Sequence, residues 1–138
     1  MTDIRFIGDI HGQYGTYFQT IQGVDNTVQV GDYGIGFGPV PMNVYTQPGK
    51  HRFIRGNHDN LQRCFGEYGF IHDGHVETYG DNKVMYVGGA YSIDKDMRTP
   101  GISWWDDEEL SYSELFDMID IYEKEKPDIM ITHEVPES

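Results

Sequence analysis

The sequence of 138 residues predicts a single α/β domain over residues 1–138, and three observations indicate this fold class. Short apolar runs of strand-forming residues alternate with stretches whose apolar side chains recur at helical spacing. Several strand-like runs stop at a glycine that is followed at once by polar side chains. The length suits one domain with its own core, and no internal repeat, linker or low-complexity segment divides the chain.

Six strands are predicted in chain order. They cover residues 4–7, 27–30, 52–54, 75–79, 83–87 and 129–131. The fourth and fifth strands should form a hairpin around Gly80, Asp81 and Asn82, because these residue types suit a tight turn. Two further segments are predicted to be long loops: residues 33–50, which are rich in Gly and Pro, and residues 90–110, which contain both tryptophans.

Two helices are predicted between these strands. The first covers residues 14–21, where Tyr14, Phe18 and Ile21 have helical spacing. The second begins at the capping-box pattern of residues 111–114 and should end before Pro127. Its apolar face comprises Leu115, Met118, Ile119 and Tyr122.

The composition is that of an acidic protein without an internal disulfide. The formal net charge at pH 7 is −13, which disfavours nonspecific binding to nucleic acid or to an anionic membrane. The single cysteine, Cys64, fits a reducing compartment. The sequence shows neither a signal-peptide layout nor an apolar run of membrane-spanning length. We therefore expect a cytoplasmic protein.

Polar clusters follow four of the predicted strands. Their sequences are GDIHG (8–12), GDYG (31–34), GNHD (56–59) and TH (132–133). Ligands of an open α/β sheet bind beyond the carboxyl ends of its strands, so these clusters should converge in space. The side chains they would bring together are Asp9, His11, Asp32, Asn57, His58, Asp59 and His133.

This set offers carboxylate, imidazole and amide ligands without a thiolate, which suits Mn²⁺, Fe or Zn²⁺. A carboxylate such as Asp32 can bridge two ions, and two neighbouring ions suit in-line displacement at phosphorus. Other interpretations of single members stay open, since Asn57 and Asp59 could cap a short helix and His133 could be a core histidine. Four such clusters in the same context favour a joint metal site.

The motifs GDIHG, GDYG, RGNHD and ITH resemble, in this order, those of the calcineurin-like metallophosphoesterases. The resemblance runs from residue 4 to residue 136, and segment 87–111 further resembles a bacterial and bacteriophage-like branch. It implies an αββα sandwich of two mixed β-sheets with a dinuclear metal site at the strand ends. It also implies a hydrolase that cleaves phosphate esters with two divalent ions, Mn²⁺ being expected and Fe or Zn²⁺ being alternatives.

The resemblance implies a role for each motif residue. Asp9 and His11 would hold the first ion, Asp32 would bridge both ions, and Asn57 and His133 would hold the second. A hydroxide generated between the ions would attack phosphorus. His58 would act at the leaving group as the general acid, so that His58 and Asp32 are the expected catalytic residues.

Residues around the motifs are given supporting roles. Asn57 and Arg98 are expected to contact the substrate phosphate, with the alternative that Arg98 pairs with Asp94 or Asp96 at the surface. Arg55 should brace the third motif through a carboxylate. One of the two tryptophans at 104–105 should fill the core and the other should line the site. The acidic run at 106–109 is predicted to be a solvated segment.

Two departures from the family pattern bear on these expectations. The protein-phosphatase branch carries GD-x-x-D-R-G at the second motif, whereas Asp32 is followed here by Tyr-Gly-Ile-Gly-Phe, which disfavours that branch. Family members also carry a closing G-H-x-H motif whose histidines complete the metal sites, and this sequence ends at Ser138 without it. We therefore expect a C-terminally incomplete family domain with weakened metal affinity. Self-association through the uncovered edge of strand 129–131 would follow.

These observations predict a metal-dependent phosphoesterase that acts on a small or protein-borne phosphate ester. A phosphodiesterase or nuclease of the same chemistry is an alternative, although the acidic composition counts against it because strand-binding surfaces are usually basic or aromatic. A third possibility is a non-catalytic remnant that binds a partner through its incomplete face.

Overall fold

The computed structural model describes residues 3–134, and in this range the chain is mixed α/β, with four helices and two three-stranded sheets. The strands and helices alternate only in the first half of the chain. The elements in order are β1 (Arg5–Ile7), α1 (Tyr14–Ile21), β2 (Asn26–Gln29), α2 (Met42–Tyr45), β3 (Lys50–Phe53), α3 (Leu61–Cys64), β4 (Val76–Tyr79), β5 (Asn82–Val87), a 3₁₀ turn (Lys95–Met97), α4 (Tyr112–Glu125) and β6 (Ile129–Thr132).

The first sheet is parallel, in the order β1-β2-β3. Helix α1 forms the crossover from β1 to β2, and a long segment that includes α2 leads from β2 to β3, as parallel neighbours require. In this sheet Phe6 pairs with Val28, and Val28 pairs with Arg52. The carboxyl ends of all three strands therefore lie at one edge of the sheet, where motif residues follow each of them.

The second sheet has the order β4-β5-β6. Strands β4 and β5 form the predicted antiparallel hairpin, which closes with Gly80 and Asp81 because Tyr79 pairs with Asn82. Gly80 has φ +56°, a conformation that glycine adopts without strain. Strand β6 pairs with β5 in parallel and, within residues 3–134, has a neighbour on one side only.

Two apolar clusters hold these elements together. One cluster packs the helices α1, α2 and α3 on the first sheet, and its buried members are Ile10, Tyr17, Ile21, Tyr33, Ile35, Val40, Val44, Phe53 and Cys64. The other joins the two sheets, and its buried members are Val28, Ile54, Ile71, Val84 and Tyr86. The first sheet is thus covered by helices on one face and by the second sheet on the other.

An ion pair also links the two sheets. Nη1 and Nη2 of Arg52 in β3 donate to the carboxylate of Glu77 in β4, at 2.9 and 2.7 Å. The hydroxyl of Tyr86 donates to the same carboxylate at 2.7 Å. Burial opposes ionisation of Glu77, but the hydrogen bonds from Arg52 and Tyr86 outweigh it and lower the pKa of Glu77 to about 2.

Helix α4 begins and ends as predicted, but its apolar face does not pack on the core. Ser111 and Glu114 form the capping box, and the helix ends at Glu125, before Pro127. No residue of α4 is buried, and the predicted face is largely open: Leu115, Ile119 and Tyr122 are 45%, 42% and 49% exposed. The pattern is amphipathic, yet the described chain supplies no element to cover most of this face.

Most other differences from the predicted elements are small. All six strands differ from their predicted bounds by one or two residues at one or both ends, which is the usual uncertainty of element boundaries. The two predicted long loops each contain a short turn of helix, α2 in one and the 3₁₀ turn in the other. None of the helices in the described part of the chain has both the length and the apolar character needed to cross a membrane.

Candidate metal centre

The loop after β1 is fixed against the loop after β2 by backbone hydrogen bonds. The N–H of His11 donates to the carbonyl of Asp32 at 2.8 Å, and the N–H of Gly12 donates to the carbonyl of Tyr33 at 3.0 Å. As a result the side chain of His11 lies beside both carboxylates, with its Nε2 3.6 Å from an oxygen of Asp9 and 3.6 Å from an oxygen of Asp32.

Asp32 lies at the centre of the site, and its backbone is strained. It has φ +56° and His11 has φ +45°, a region that side chains other than glycine seldom adopt. The carboxylate is buried, and it fits only because residue 56 is glycine, since a Cβ at Gly56 would overlap the Asp32 side chain. Strained residues of this kind cluster at functional sites, where their surroundings hold them in place.

Asp59 holds the second and third motifs together. Its two buried oxygens accept four backbone N–H groups: those of Tyr33, Gly34, Ile35 and Gly56, at 2.8 to 3.0 Å. Burial raises the pKa of Asp59, and the four N–H donors oppose that rise. The carboxylate is therefore a structural anchor of both loops and not the helix cap that the sequence allowed. In this structure the neighbouring Asn60 caps α3.

His133 brings the second sheet to the site. It follows β6 directly, and its Nδ1 lies 2.8 Å from the carbonyl oxygen of Val30, so Nδ1 must carry the hydrogen of this bond. In the neutral ring Nε2 then presents a lone pair, and it faces Oδ1 of Asn57 at 3.1 Å and Asp32 at 3.6 Å.

The ligand atoms fall into two groups that share Asp32. One group is His11, Asp32 and His58, the other is Asp9, Asp32 and His133, and the ligand atoms of each group lie within 4.8 Å of one another. Asn57 adjoins the second group through His133. The predicted metal ligands are thus brought together, but they are grouped differently from the prediction, with Asp9 beside His133 and His58 beside His11. Their nitrogen and oxygen atoms suit Mn²⁺, Fe or Zn²⁺.

His58 belongs to one of the two ligand groups, although its predicted role is proton transfer to the leaving group. Its Nδ1 is 2.9 Å from an oxygen of Asp32, which is an acceptor, so Nδ1 carries the hydrogen and Nε2 is free. The indole N–H of Trp105 donates to the His58 carbonyl at 2.8 Å. A cavity of about 270 Å³ adjoins the histidine and is lined by His11, Gly34, Phe37 and His58. The geometry therefore permits either metal binding or proton transfer by His58.

Arg98 lies behind Asn57 and is not a surface side chain. Its Nη1 donates to the hydroxyl of Ser92 at 3.2 Å and lies 3.5 Å from a carboxylate oxygen of Asp94, so the pairing with Asp94 that the sequence left as an alternative is present. That serine accepts a hydrogen bond from Nδ2 of Asn57 at 2.8 Å. Among the described residues, Nε and Nη2 of Arg98 have no hydrogen-bond partner. Arg98 is thus connected to Asn57 through Ser92, and two of its nitrogens are available to donate hydrogen bonds.

Two residues of this region escaped the sequence analysis. Ser92 and Glu108 are 1% and 2% exposed, and the carboxylate of Glu108 accepts both the N–H and the hydroxyl of Ser92, at 2.9 and 2.6 Å. The prediction that residues 106–109 form a solvated acidic segment is wrong at Glu108. No local signal marks it, because it stands in a run of four acidic residues that otherwise looks like exposed sequence.

The remaining supporting residues lie as follows. Arg55 is fully buried and donates through Nε to Asp73 at 2.9 Å, which confirms that it braces the third motif through a carboxylate. Trp105 is buried behind His58, and Trp104 is half-buried. Both tryptophans line a separate cavity, together with Asn60, Gln62, Pro100, Gly101, Asp106 and Asp107.

Comparisons with known proteins do not assign a function to this site. No protein-family model matches the chain, and no curated protein matches it. A solved structure, that of the protein of unknown function AQ665 from Aquifex aeolicus, is similar with a TM-score of 0.49 and 15% sequence identity. The similarity covers 94% of this chain and 77% of that chain. A likeness at this level supports no conclusion about fold or function.

Proposed function

We propose that this protein is a metal-dependent phosphoesterase of the calcineurin-like type, as its four motifs suggest. The observation that carries the proposal is the pair of ligand groups that share the buried carboxylate of Asp32. A carboxylate placed between two sets of nitrogen and oxygen ligands is the arrangement that a site for two neighbouring ions requires. The motifs come from four separate strand ends, so their convergence is a property of the fold.

The layering of the domain supports the finer fold assignment. Helices pack on one face of the first sheet, the second sheet packs on its other face, and α4 meets the second-sheet side through Met118 and Ile121, which lie beside Gly74. We infer an αββα sandwich of the metallophosphoesterase type from this order of layers. The free, buried Cys64 also suits a reducing compartment such as the cytoplasm.

The residues present fit a pair of divalent ions. Asp9, His11 and Asp32 would hold one ion, and Asp32, Asn57 and His133 would hold the other. When bound, such ions supply positive charge that polarises phosphoryl oxygens and lowers the pKa of water. We infer Mn²⁺ as the ion, with Fe or Zn²⁺ as alternatives for the same ligand set.

The protein side chains would then place the substrate and manage the proton. Asp32 accepts the Nδ1–H of His58, so Nε2 is the nitrogen that faces the substrate. With both nitrogens protonated, the ring would give its Nε2 proton to the departing alkoxide and keep the Nδ1–H bonded to Asp32. Arg98 has buried N–H groups that a phosphate oxygen would satisfy, and Ser92 connects it to the ligand Asn57. We infer that Arg98 and Asn57 contact the substrate phosphate.

A hydrolysis panel tests this function. The chain would be assayed on p-nitrophenyl phosphate, bis-p-nitrophenyl phosphate and single-stranded DNA, with added Mn²⁺ and after treatment with a chelator. We expect activity on the monoester that disappears with chelator and returns with Mn²⁺. Asp32→Asn should abolish it, whereas Asp120→Asn, at an exposed position of α4, should not. Full activity after exhaustive chelation would refute the proposal, and preference for DNA would favour a nuclease instead.

A second candidate function, binding to another copy of the chain, is favoured by one observation. Large apolar side chains are exposed on both α4 and β6, namely Leu115, Phe116, Ile119, Tyr122, Ile129 and Met130. In the described residues β6 also has a free edge, whose backbone groups can pair with another strand. Light scattering over a range of protein concentrations tests this candidate, and a monomer throughout would exclude it.

A further inference from the structure

Asn57 can serve as a metal ligand only if its amide is turned the right way. A side-chain amide has an oxygen on one side and an NH₂ group of almost the same shape on the other, so a half-turn exchanges a ligand for a group that repels cations. Asn57 is 8% exposed, and its Oδ1 faces Nε2 of His133 at 3.1 Å while its Nδ2 lies 2.8 Å from Oγ of Ser92. Something must favour this orientation over the reverse.

The hydrogen bonds of Ser92 supply that preference. A serine hydroxyl has one hydrogen to donate and two lone pairs to accept with. The hydrogen lies on the 2.6 Å bond to Oε2 of Glu108, because an ionised carboxylate can only accept. Nη1 of Arg98 occupies one lone pair at 3.2 Å. What Ser92 offers to Asn57 is therefore the remaining lone pair, which binds an NH₂ group and repels an amide oxygen.

Glu108 is itself fixed in place. Its other oxygen, Oε1, accepts the backbone N–H of Ser92 at 2.9 Å, and its Oε2 lies 4.0 Å from Nη2 of Arg98. The carboxylate is 2% exposed, so water does not compete for the serine hydrogen. The order of donors and acceptors, from Glu108 through Ser92 to Asn57, is thus set by the one member that has no hydrogen to give.

We propose that Glu108 and Ser92 are positioning residues that keep the Asn57 oxygen turned toward the metal centre. The inference rests on the proposed function, because it concerns the ligand set of the same site. It assigns a role to the buried carboxylate of Glu108, which contacts none of the ligands directly and reaches Asn57 through Ser92.

The variant Glu108→Gln reverses the order while keeping the shape of the side chain. Glutamine can still accept the Ser92 N–H, but its NH₂ group then points at the serine hydroxyl and donates to it. The serine hydrogen is released and can turn to Asn57, which allows the amide to present its oxygen to Ser92 and its NH₂ to the site. Loss of an outer partner of a ligand lowers metal affinity by about tenfold or more, and we expect a loss of that size for Mn²⁺.

The amide orientation is measured directly by NMR on the full, metal-free chain. In the wild type the Asn57 Hδ2 protons should show a nuclear Overhauser effect to the Hβ protons of Ser92, and in Glu108→Gln this effect should weaken. Glu109→Gln removes the same charge at the neighbouring, exposed position and should leave it unchanged. An identical pattern in the wild type and in Glu108→Gln would overturn the inference.

Mn²⁺ titration of the same proteins separates the two claims. A wild type that binds no Mn²⁺ would refute the proposed function. Wild-type binding with unchanged affinity in Glu108→Gln would refute the positioning role alone. Should Glu108→Gln fail to fold, Ser92→Ala serves as the second variant. It removes the lone pair that holds Nδ2, so it should weaken Mn²⁺ binding about tenfold, and an unchanged affinity would again count against the inference.

Discussion

The substitution Asp59→Asn should destabilise the domain strongly, and the structure gives the size of the effect. Each carboxylate oxygen of Asp59 accepts two backbone N–H groups. In asparagine one oxygen becomes an NH₂ group, so two buried N–H donors face another donor whichever way the amide turns. An unsatisfied buried donor costs about 1–3 kcal/mol, which gives a loss of about 2–6 kcal/mol. That is a large part of the roughly 5–15 kcal/mol that stabilises a typical domain.

Urea unfolding measures this loss, provided that the slope of the transition is unchanged. The control is Asp81→Asn at the exposed hairpin turn, which should change the free energy of unfolding by less than about 0.5 kcal/mol. Asp59→Asn should also weaken Mn²⁺ binding, because Asp59 fixes the loops that carry Asp32 and Asn57. If Asp59→Asn unfolds at the same urea concentration as the wild type, Asp59 does not anchor these loops.

Three further changes test other parts of the structure. His58→Ala should reduce turnover by about a hundredfold or more, and the reduction should be smaller for substrates with good leaving groups. The Mn²⁺ content of this variant should stay nearly unchanged. Loss of the metal by elemental analysis would show that His58 is a ligand. Glu77 has a pKa lowered to about 2, so its ion pair with Arg52 contributes stability that is full above about pH 4.5 and is lost as the pH falls toward 2. Glu77→Gln should therefore flatten the fall in stability over that range, and an unchanged pH profile would show that the pair contributes little. Met130→Lys, on the free edge of β6, should shift light-scattering masses toward the monomer, and a wild type that is already monomeric would contradict the self-association it tests.

Local patterns in the sequence were enough to predict the elements whose bounds are set by residues close to them in the chain. Helix α1 has the predicted bounds, the hairpin closes at glycine, and α4 has the predicted cap and end. The convergence of Asp9 and Asp32 could also be predicted, since the carboxyl ends of neighbouring parallel strands meet at one edge. His133 follows a strand of the second sheet, so its approach to them depends on how the two sheets pack.

Long-range burial could not be predicted in this way. Glu108 stands in an acidic run and is nevertheless buried, because Ser92 and Arg98 come to it from a distant part of the loop. Asp59 receives N–H groups from two loops that only the tertiary fold brings together. The exposed apolar face of α4 shows the converse, since an amphipathic pattern does not reveal whether a covering element exists. In each case the decisive partner is far away in the sequence.

The number of Mn²⁺ ions bound per chain tests the central claim most directly, because the claim is that Asp32 is shared by two ions. Wild-type protein, Asp32→Asn and the control Asp120→Asn would be dialysed against excess Mn²⁺ and their bound metal measured by elemental analysis. We predict two ions per chain for the wild type and the control, and loss of both ions in Asp32→Asn. Retention of the wild-type Mn²⁺ content by Asp32→Asn would contradict the shared metal centre.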